Sequence, residues 1–434
     1  MAEPPTIPFR TTGSRLLHPL SVRFNVPLDQ VNFAVCQLFA LFAAFWFRLY
    51  LSPSRAGVVV RHVVITMLGI YFAIFCFGWY SLHIFMEVSL CYCIMITANV
   101  SNIHRYSFVA AMGYLTLCQI SRVYIFNYGL LATDFSGPLM IVTQKITSLA
   151  FQMHDGLGRK EEELTVEQRR LAVSSRPTLL EYCSYHLNFL GILAGPASNY
   201  KDYIAFIEGN HIDMKLIEEH WKQKGFSKFP DPSPLRAVAN KMVITFICLV
   251  WFTLITKNFP ISYNVDDKFI SEASFFRKLC YLFLSVHASR PKYYFAWTLA
   301  DAVNNAGGFG FNGLDKNGNL RWDLISNLNI WNIEMRSNFR HYFLSSRKMK
   351  IGYDVMTWVF TQLALCYIVT PFLLLGAEPT IKFYKSIYFH FHILCAIVLP
   401  ILAVKKRKSI MQTTSLKANS SNPAPSHQQP KKEQ

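Results

Sequence analysis

The sequence predicts an all-α polytopic membrane protein, a bundle of about ten membrane elements. Charged residues make up only 16% of the 434 positions, whereas soluble domains carry about 25%. Hydrophobic residues make up 52% and aromatic residues 15%, and the mean hydropathy is +0.23. The apolar residues are grouped in runs of about 20, the length that crosses a bilayer core of about 30 Å.

Residues 1–30 form a polar N-terminal segment that does not resemble a signal peptide. The first apolar run is too long for the hydrophobic region of such a peptide, and no small-residue cleavage site follows it. We therefore expect this run to be retained as a signal anchor. It opens a membrane domain that we predict over residues 31–404.

Apolar runs of spanning length predict membrane helices along this domain. They cover residues 31–51, 63–82, 84–100, 107–126, 237–256, 353–375 and 383–404. Three further runs, 136–153, 178–197 and 278–300, are interrupted by Lys145, Pro196 and Arg290-Pro291-Lys292 respectively. Such interruptions are tolerated where a helix faces protein or a wet cavity, so these runs predict tilted or re-entrant elements.

Polar links connect the predicted membrane elements. Gly158–Arg176 is highly charged and predicts a solvated helix or loop. Lys201–Pro234 predicts an interfacial helix followed by a proline-rich turn, and Gly307–Asp323 is rich in turn residues.

The C-terminal residues 405–434 predict a disordered tail, since they lack apolar periodicity. The basic cluster Lys405–Lys408 beside the last apolar run places this tail in the cytosol. Lys431 and Lys432 resemble a dilysine retrieval signal. We therefore expect a multi-pass protein of the endoplasmic reticulum membrane, with a retrieval-coat receptor as one partner.

The net charge of +17 predicts contact with lipid rather than nucleic acid. Lysine and arginine lie in short clusters between apolar runs, where they set topology and meet anionic lipid. No nucleic-acid-binding motif is present. The ten cysteines include no C-x-x-C pair, so we interpret them as small core residues and expect no metal site.

Three stretches place polar side chains inside or beside apolar runs, where burial is costly. They are 139–156, 182–203 and 293–311. The residues that could line a substrate tunnel are Gln144, Lys145, His154, Asp155, Tyr293, Tyr294, Trp297, Asp301, Asn304 and Asn305. The alternative is that these groups pair with one another and fix helix packing.

The same stretches resemble the signature segments of the membrane-bound O-acyltransferase family. They read MIVTQKITSLAFQMHDG, GILAGPASNYKDYIAFIEG and RPKYYFAWTLADAVNNAGGFGFNG, in the family's order. The resemblance covers about residues 20–404 and is strongest to the lysophospholipid acyltransferase branch, particularly a member acting on lysophosphatidylserine and lysophosphatidylethanolamine. It implies a helical bundle around a lipid tunnel, with acyl-CoA as co-substrate, lysophospholipid as acceptor and no cofactor.

The resemblance also implies a catalytic histidine in a Trp-His-Gly context and an asparagine in an Asn-Trp-Asn-Ile-Gln context. Neither Trp-His nor His-Gly occurs in this chain. Asn332, within Trp331-Asn332-Ile333, is the only candidate for the asparagine, although Ile330 and Glu334 depart from the motif. The chain then enters a basic segment at Arg336, so we predict an internal gap near residues 335/336.

Three functions follow from these patterns. The first is acyl transfer from acyl-CoA to a lysophospholipid. The second is a truncated, inactive form that binds lipid, acyl-CoA or the complete enzyme, and it is favoured by the missing histidine. The third, a transporter, is suggested only by Lys145, Asp301 and the glycine and proline breaks, and it requires inverted repeats that the sequence does not show.

Overall fold

The computed structural model describes residues 13–124, 135–218, 232–314, 320–322, 347–374, 376–397 and Pro400. The chain divides into two compact units. The first contains Met1–Asn258 and Ala288–Lys350, and the second contains Phe259–His287 and Ile351–Gln434.

The first unit begins with a series of helices separated by short turns. They are α1 (His18–Phe24), α2 (Leu28–Tyr50), α3 (Val58–Phe77), α4 (Ser81–Thr97) and α5 (Ile103–Tyr124). Asn25 ends α1 with φ 52°, a left-handed cap that asparagine tolerates. Gly78 follows α3 with φ 54° and ψ −125°, a conformation open to glycine, and so separates α3 from α4.

Two long helices and four short ones follow in the middle of the chain. They are α6 (Ser136–Gly158), α7 (Val166–Leu171), α8 (Leu179–Leu187), α9 (Tyr200–Glu208), α10 (His211–Glu218) and α11 (Leu235–Ile255). Thr165 and Thr178 begin α7 and α8 with capping boxes, each paired with the residue three positions later. The predicted solvated link 158–176 therefore contains one short helix.

The remaining elements are helices and a small hairpin. They are α12 (Asp267–Glu272), α13 (Phe275–Ala306), β1 (Phe311–Leu314), β2 (Leu320–Trp322), α14 (Arg347–Leu374) and α15 (Ala377–Ser386). Pro291 lies inside α13 without ending it. The strands β1 and β2 are antiparallel, with Phe311 opposite Trp322, in the link that was predicted to be turn-rich.

The all-α prediction is confirmed, and several helices match predicted spans. Four segments of the described chain are long and apolar enough to cross a membrane: Leu28–Tyr50, Val58–Thr97, Leu235–Val265 and Val355–Leu374. The second contains both α3 and α4. The interrupted runs 136–153 and 278–300 lie in the long helices α6 and α13.

The predicted element 178–197 differs from the structure. Its helix, α8, ends at Leu187, well before Pro196, and residues 188–199 are not helical. Residues 188–193 are nevertheless buried. Irregular backbone can lie at such depth only where protein groups satisfy it, so this stretch is where the polar side chains of the bundle should converge.

The core of the first unit is built mainly from α2, α3, α6, α8 and α9. Its largest fully buried side chains include Phe47, Phe72, Tyr182, Tyr185 and Phe206. The second unit has its own core of Leu282, Val286, Cys366, Tyr367, Phe383 and Ile387. Asn332, the junction 335/336, Lys405–Lys408, Lys431 and Lys432 lie outside the described residues.

Candidate functional site

The three signature stretches meet at one buried loop, residues 188–195, which follows α8 in the first unit. Backbone hydrogen bonds form tight turns within the loop: the amides of Gly191 and Ile192 donate to the Asn188 carbonyl at 3.2 and 3.0 Å. The Phe189 amide donates to the Ile65 carbonyl of α3 at 3.2 Å. Other backbone carbonyls here depend on side chains from neighbouring helices.

Lys145 of α6 approaches the buried loop from one side. Its side chain is 2% exposed, and Nζ donates to the Tyr185 carbonyl at 3.3 Å. Nζ also lies 5.2 Å from the centre of the Tyr185 ring. Because Tyr185 lies in the last turn of α8, the ammonium group meets the negative end of the helix dipole. Lys145 therefore stabilises the point at which α8 gives way to the loop.

Gly191 makes room for the Lys145 head group. A Cβ at this position would lie 3.4 Å from Lys145 Nζ and 3.2 Å from Asn188 Oδ1. Asn188 Nδ2 donates to the Tyr185 carbonyl at 2.7 Å, so the Tyr185 carbonyl oxygen accepts from both Asn188 and Lys145. A side chain at residue 191 would therefore make an ordinary contact with Nζ and a tight one with the Asn188 amide.

Asn304 of α13 holds the buried loop from another element. Its Nδ2 donates to the Leu190 carbonyl at 3.0 Å and to the Ala300 carbonyl of its own helix at 2.8 Å. Asn305 donates to the Phe309 carbonyl at 3.1 Å and so fixes the turn before β1. Of the predicted residues, Lys145 and Asn304 therefore hold the buried loop, and Asn305 fixes the neighbouring turn.

Asp301 is paired with Lys241, a residue that the sequence analysis did not single out. Lys241 Nζ donates to Asp301 Oδ2 at 2.6 Å, to Asn305 Oδ1 at 2.7 Å and to the Trp322 carbonyl at 2.6 Å. This ammonium group joins α11, α13 and β2. A lysine near the start of an apolar run is a signal that could have identified it.

A second polar network, also missed from the sequence, lies beside the loop. His62 Nδ1 is 2.8 Å from Ser184 Oγ, and Ser184 Oγ is hydrogen-bonded to the Tyr203 hydroxyl. Burial raises the pKa of Tyr203, although Ser184 and the charge of Arg61 act in the opposite direction. Burial and the charge of Glu181 raise the pKa of Tyr200. Both tyrosines therefore remain protonated at neutral pH.

The other predicted residues of α6 do not join Lys145. Gln144 is exposed. His154 Nδ1 lies 3.1 Å from the Val100 carbonyl, and Asp155 pairs with Arg159 at 3.2 Å. His154 follows Lys145 by nine positions, which places it about 14 Å farther along the helix at 1.5 Å per residue.

The aromatic residues of α13 also lie apart from the buried loop. Tyr294 and Trp297 are each 43% exposed, and the Tyr293 ring lies 5.9 Å from the Trp297 ring. Aromatic side chains with an apolar body and a polar tip suit a lipid interface. The structure therefore separates α13 into an exposed aromatic part and the buried Asp301, Asn304 and Asn305.

The described polar groups are largely committed to holding helices and the loop together. No group of three or more His, Cys, Asp or Glu residues that could hold a metal ion occurs within the described ranges. Asn332, the predicted catalytic asparagine, lies outside them. The described geometry is a buried polar junction at which hydrogen bonds join the three signature stretches.

Comparison with known proteins identifies the family. The membrane-bound O-acyltransferase family model matches residues 120–345, which include the buried loop and the two side chains that hold it, Lys145 and Asn304. The chain is 51% identical to membrane-bound glycerophospholipid O-acyltransferase 1 of Mus musculus, over 95% of this chain and 98% of that protein. It is 54% identical to the Homo sapiens protein of that name, over 93% and 95%. It is 48% identical to membrane-bound glycerophospholipid O-acyltransferase 2 of Homo sapiens, over 91% and 89%.

The alignments are longer than the part of this chain that they cover. The mouse alignment has 481 positions, whereas 95% of the 434 residues is about 412, so about 69 positions have no residue in this chain. The family match, the identity over nearly the whole of both chains and the apolar helices agree. The chain is a multi-pass membrane protein that belongs to the membrane-bound O-acyltransferase family.

Proposed function

We propose that this protein belongs to phospholipid remodelling, in which a fatty acyl group passes from acyl-CoA to a lysophospholipid such as lysophosphatidylserine or lysophosphatidylethanolamine. The observation that carries the proposal is the convergence of the three signature stretches on the buried loop, through Lys145 and Asn304. The names of the mouse and human relatives, which are glycerophospholipid O-acyltransferases, support it.

Acyl transfer makes two demands on the protein. The lysophospholipid hydroxyl attacks the thioester carbonyl, its proton passes to a base, and the thiolate of CoA leaves. Hydrogen-bond donors stabilise the negative charge that forms on the carbonyl oxygen. Asn332 would supply a donor amide, and the predicted tunnel residues would guide the substrates. Lys145, Asn304 and Asn305 would act as scaffold, because their hydrogen bonds are used within the protein.

The base that takes the hydroxyl proton has no candidate in this sequence, because no histidine lies in the expected Trp-His-Gly context. Neither Trp-His nor His-Gly occurs in the chain, and about 69 aligned positions of the mouse relative have no residue here. The unmatched positions support a gap in the chain, and the missing dipeptides are the reason for placing it near residues 335/336. For the polypeptide with this sequence, they favour a non-catalytic form that binds lipid, acyl-CoA or a complete relative.

An acyl-transfer assay distinguishes the two proposals. The chain would be expressed in cells that lack endogenous activity, and microsomes with verified protein would receive oleoyl-CoA and a panel of lysophospholipids. Product phospholipids would be measured by mass spectrometry. Turnover above the empty-vector control that Asn332→Ala abolishes supports an active enzyme. Absence of turnover, restored when the mouse segment is inserted at 335/336, supports the non-catalytic form.

Binding can be tested without turnover. Purified protein in detergent would be heated with a non-hydrolysable oleoyl-CoA analogue, and the shift in melting temperature would be measured. A rise with the acyl-CoA analogue, but not with CoA alone, supports retained binding of the acyl group. No rise with either ligand would remove the lipid-binding part of the non-catalytic proposal.

The location of the protein is part of the same proposal. Residues 31–404 would form the membrane domain in the endoplasmic reticulum, and residues 405–434 would form a cytosolic tail in which Lys431 and Lys432 bind a retrieval-coat receptor. A chain tagged near its N-terminus, with Lys431→Ser and Lys432→Ser, tests this. Its escape to the cell surface, measured by surface biotinylation, would support the signal, and unchanged retention would contradict it.

A further inference from the structure

Three polar atoms on α4 and α8 are buried without a hydrogen-bond partner in the described part of the protein. They are Glu87 Oε2, the Tyr182 hydroxyl and His186 Nε2. All three residues are 0% exposed. Buried polar groups are nearly always hydrogen-bonded, so a cluster of three exceptions calls for a bound molecule.

The contacts of these residues place them at the junction of α4, α6 and α8. The other oxygen of Glu87, Oε1, accepts from Thr143 of α6 at 2.6 Å. The Tyr182 ring lies 4.2 Å from the His186 ring and 4.9 Å from the ring of Tyr92 on α4. Helices α4, α6 and α8 also pack against one another. The three atoms therefore belong to one region of the core.

Their hydrogen-bonding roles can be assigned. His186 Nδ1 lies 2.8 Å from the Tyr182 carbonyl, and a carbonyl only accepts, so Nδ1 carries the hydrogen of the neutral ring and Nε2 is an acceptor. Glu87 Oε2 offers lone pairs, and the Tyr182 hydroxyl can donate. The region thus presents the Nε2 acceptor of His186, a carboxyl oxygen of Glu87 and the hydroxyl of Tyr182.

That combination matches the bonding capacity of water. A buried water typically makes about three hydrogen bonds and needs two to four polar partners. We propose that the junction of α4, α6 and α8 is an internal water-binding site, in which water donates to Glu87 Oε2 and His186 Nε2 and accepts from the Tyr182 hydroxyl. The site supports α8 directly before the buried loop, and it is independent of whether the chain is catalytically active.

The variant Tyr182→Phe tests the site, because it removes the hydroxyl and keeps the ring. If the hydroxyl donates to water, the apparent melting temperature in detergent should fall by about 2 °C or more. The matched control is Tyr92→Phe, which removes the hydroxyl of a half-buried residue whose ring packs against Tyr182, and it should leave the melting temperature unchanged. An unchanged or higher melting temperature for Tyr182→Phe would overturn the proposal, because a hydroxyl without a partner costs stability.

A second measurement does not depend on a folded variant. A cryo-electron microscopy map of the unmodified protein in a lipid nanodisc, with a bound Fab, would be refined until ordered waters are visible elsewhere in the core. Density within hydrogen-bond distance of Glu87 Oε2, Tyr182 Oη and His186 Nε2 is expected. A map that shows other buried waters and none at these atoms would overturn the proposal.

Discussion

Lys241 Nζ lies 2.6 Å from Asp301 Oδ2, and the two side chains are only 14% and 7% exposed. The pair joins α11 to the buried face of α13. The same ammonium group reaches the Trp322 carbonyl at 2.6 Å and so also fixes the end of β2. One side chain therefore orders three elements around the third signature stretch, which ends in the hairpin.

The variant Lys241→Met should lower the free energy of unfolding by about 3–5 kcal/mol, because it removes the cation that lies 2.6 Å from the buried Asp301 carboxylate. The measurement is thermal unfolding in one detergent, compared with the unmodified chain. Lys257→Met is the matched control, since Lys257 is exposed at the other end of the same helical segment, and it should change stability by less than about 0.5 kcal/mol.

The double variant Lys241→Met, Asp301→Asn separates charge from packing. The double variant removes both charges of the pair, so it should be more stable than Lys241→Met alone. Equal stability of the two would show that the pair does not act as a buried ion pair.

The variant Asn304→Ala should destabilise the buried loop. It removes the donor to the Leu190 carbonyl, and a buried acceptor left unsatisfied costs about 1–3 kcal/mol. Asn258→Ala is the control, because the bond from Asn258 to the Leu254 carbonyl is exposed and 3.4 Å long. Limited proteolysis and thermal unfolding would measure the loss, and equal behaviour of the two variants would contradict the role of Asn304.

Gly69 is predicted to be intolerant of any side chain. A Cβ there would collide with the Leu187 carbonyl oxygen and lie 2.9 Å from the Asn188 carbonyl carbon, all backbone atoms at the start of the loop. Gly69→Ala should therefore cost about 1–3 kcal/mol of stability. Gly113→Ala, whose Cβ would meet nothing within 4 Å, should instead be neutral or stabilising by up to about 1 kcal/mol. Thermal unfolding of both variants decides the matter.

Which features the sequence reveals depends on how local their cause is. Apolar runs of spanning length identify α2, α3, α4, α11 and α14, because hydrophobicity and length are properties of one segment. Lys145 and Asp301 could be singled out because charge is rare in such runs. The same local signal marks Lys241, but its pairing with Asp301 is not predictable from it, because the two residues are 60 positions apart.

The end of α8 illustrates the same limit. Pro196 predicts a break, yet the helix ends at Leu187. The cause is tertiary: side chains of Lys145 and Asn304 supply hydrogen bonds to carbonyls that leave the helical ladder. Near residue 188 the chain itself supplies only the bond from Asn188 Nδ2 to the Tyr185 carbonyl, and this local bond does not predict the two distant side chains. The hairpin β1–β2 was likewise predicted only as a turn-rich link, since three or four residues per strand give too short an alternating pattern.

The predicted internal gap should lower stability. The apolar segments of the described chain differ in how much of their surface protein covers: 11% of the apolar window is buried in Leu235–Val265, against 33% in Leu28–Tyr50. The mouse relative has about 69 aligned positions that this chain lacks, enough for two spans of about 20 residues with their links. If those positions form helices that cover such surfaces, this chain should melt several degrees below the mouse protein in the same detergent.

Insertion of the mouse segment at 335/336 should raise the melting temperature of this chain. A glycine- and serine-rich insert of equal length should not, which controls for chain length alone. Equal melting temperatures of this chain and the mouse protein would contradict the prediction, because they would mean that the missing positions contribute no packing to the bundle.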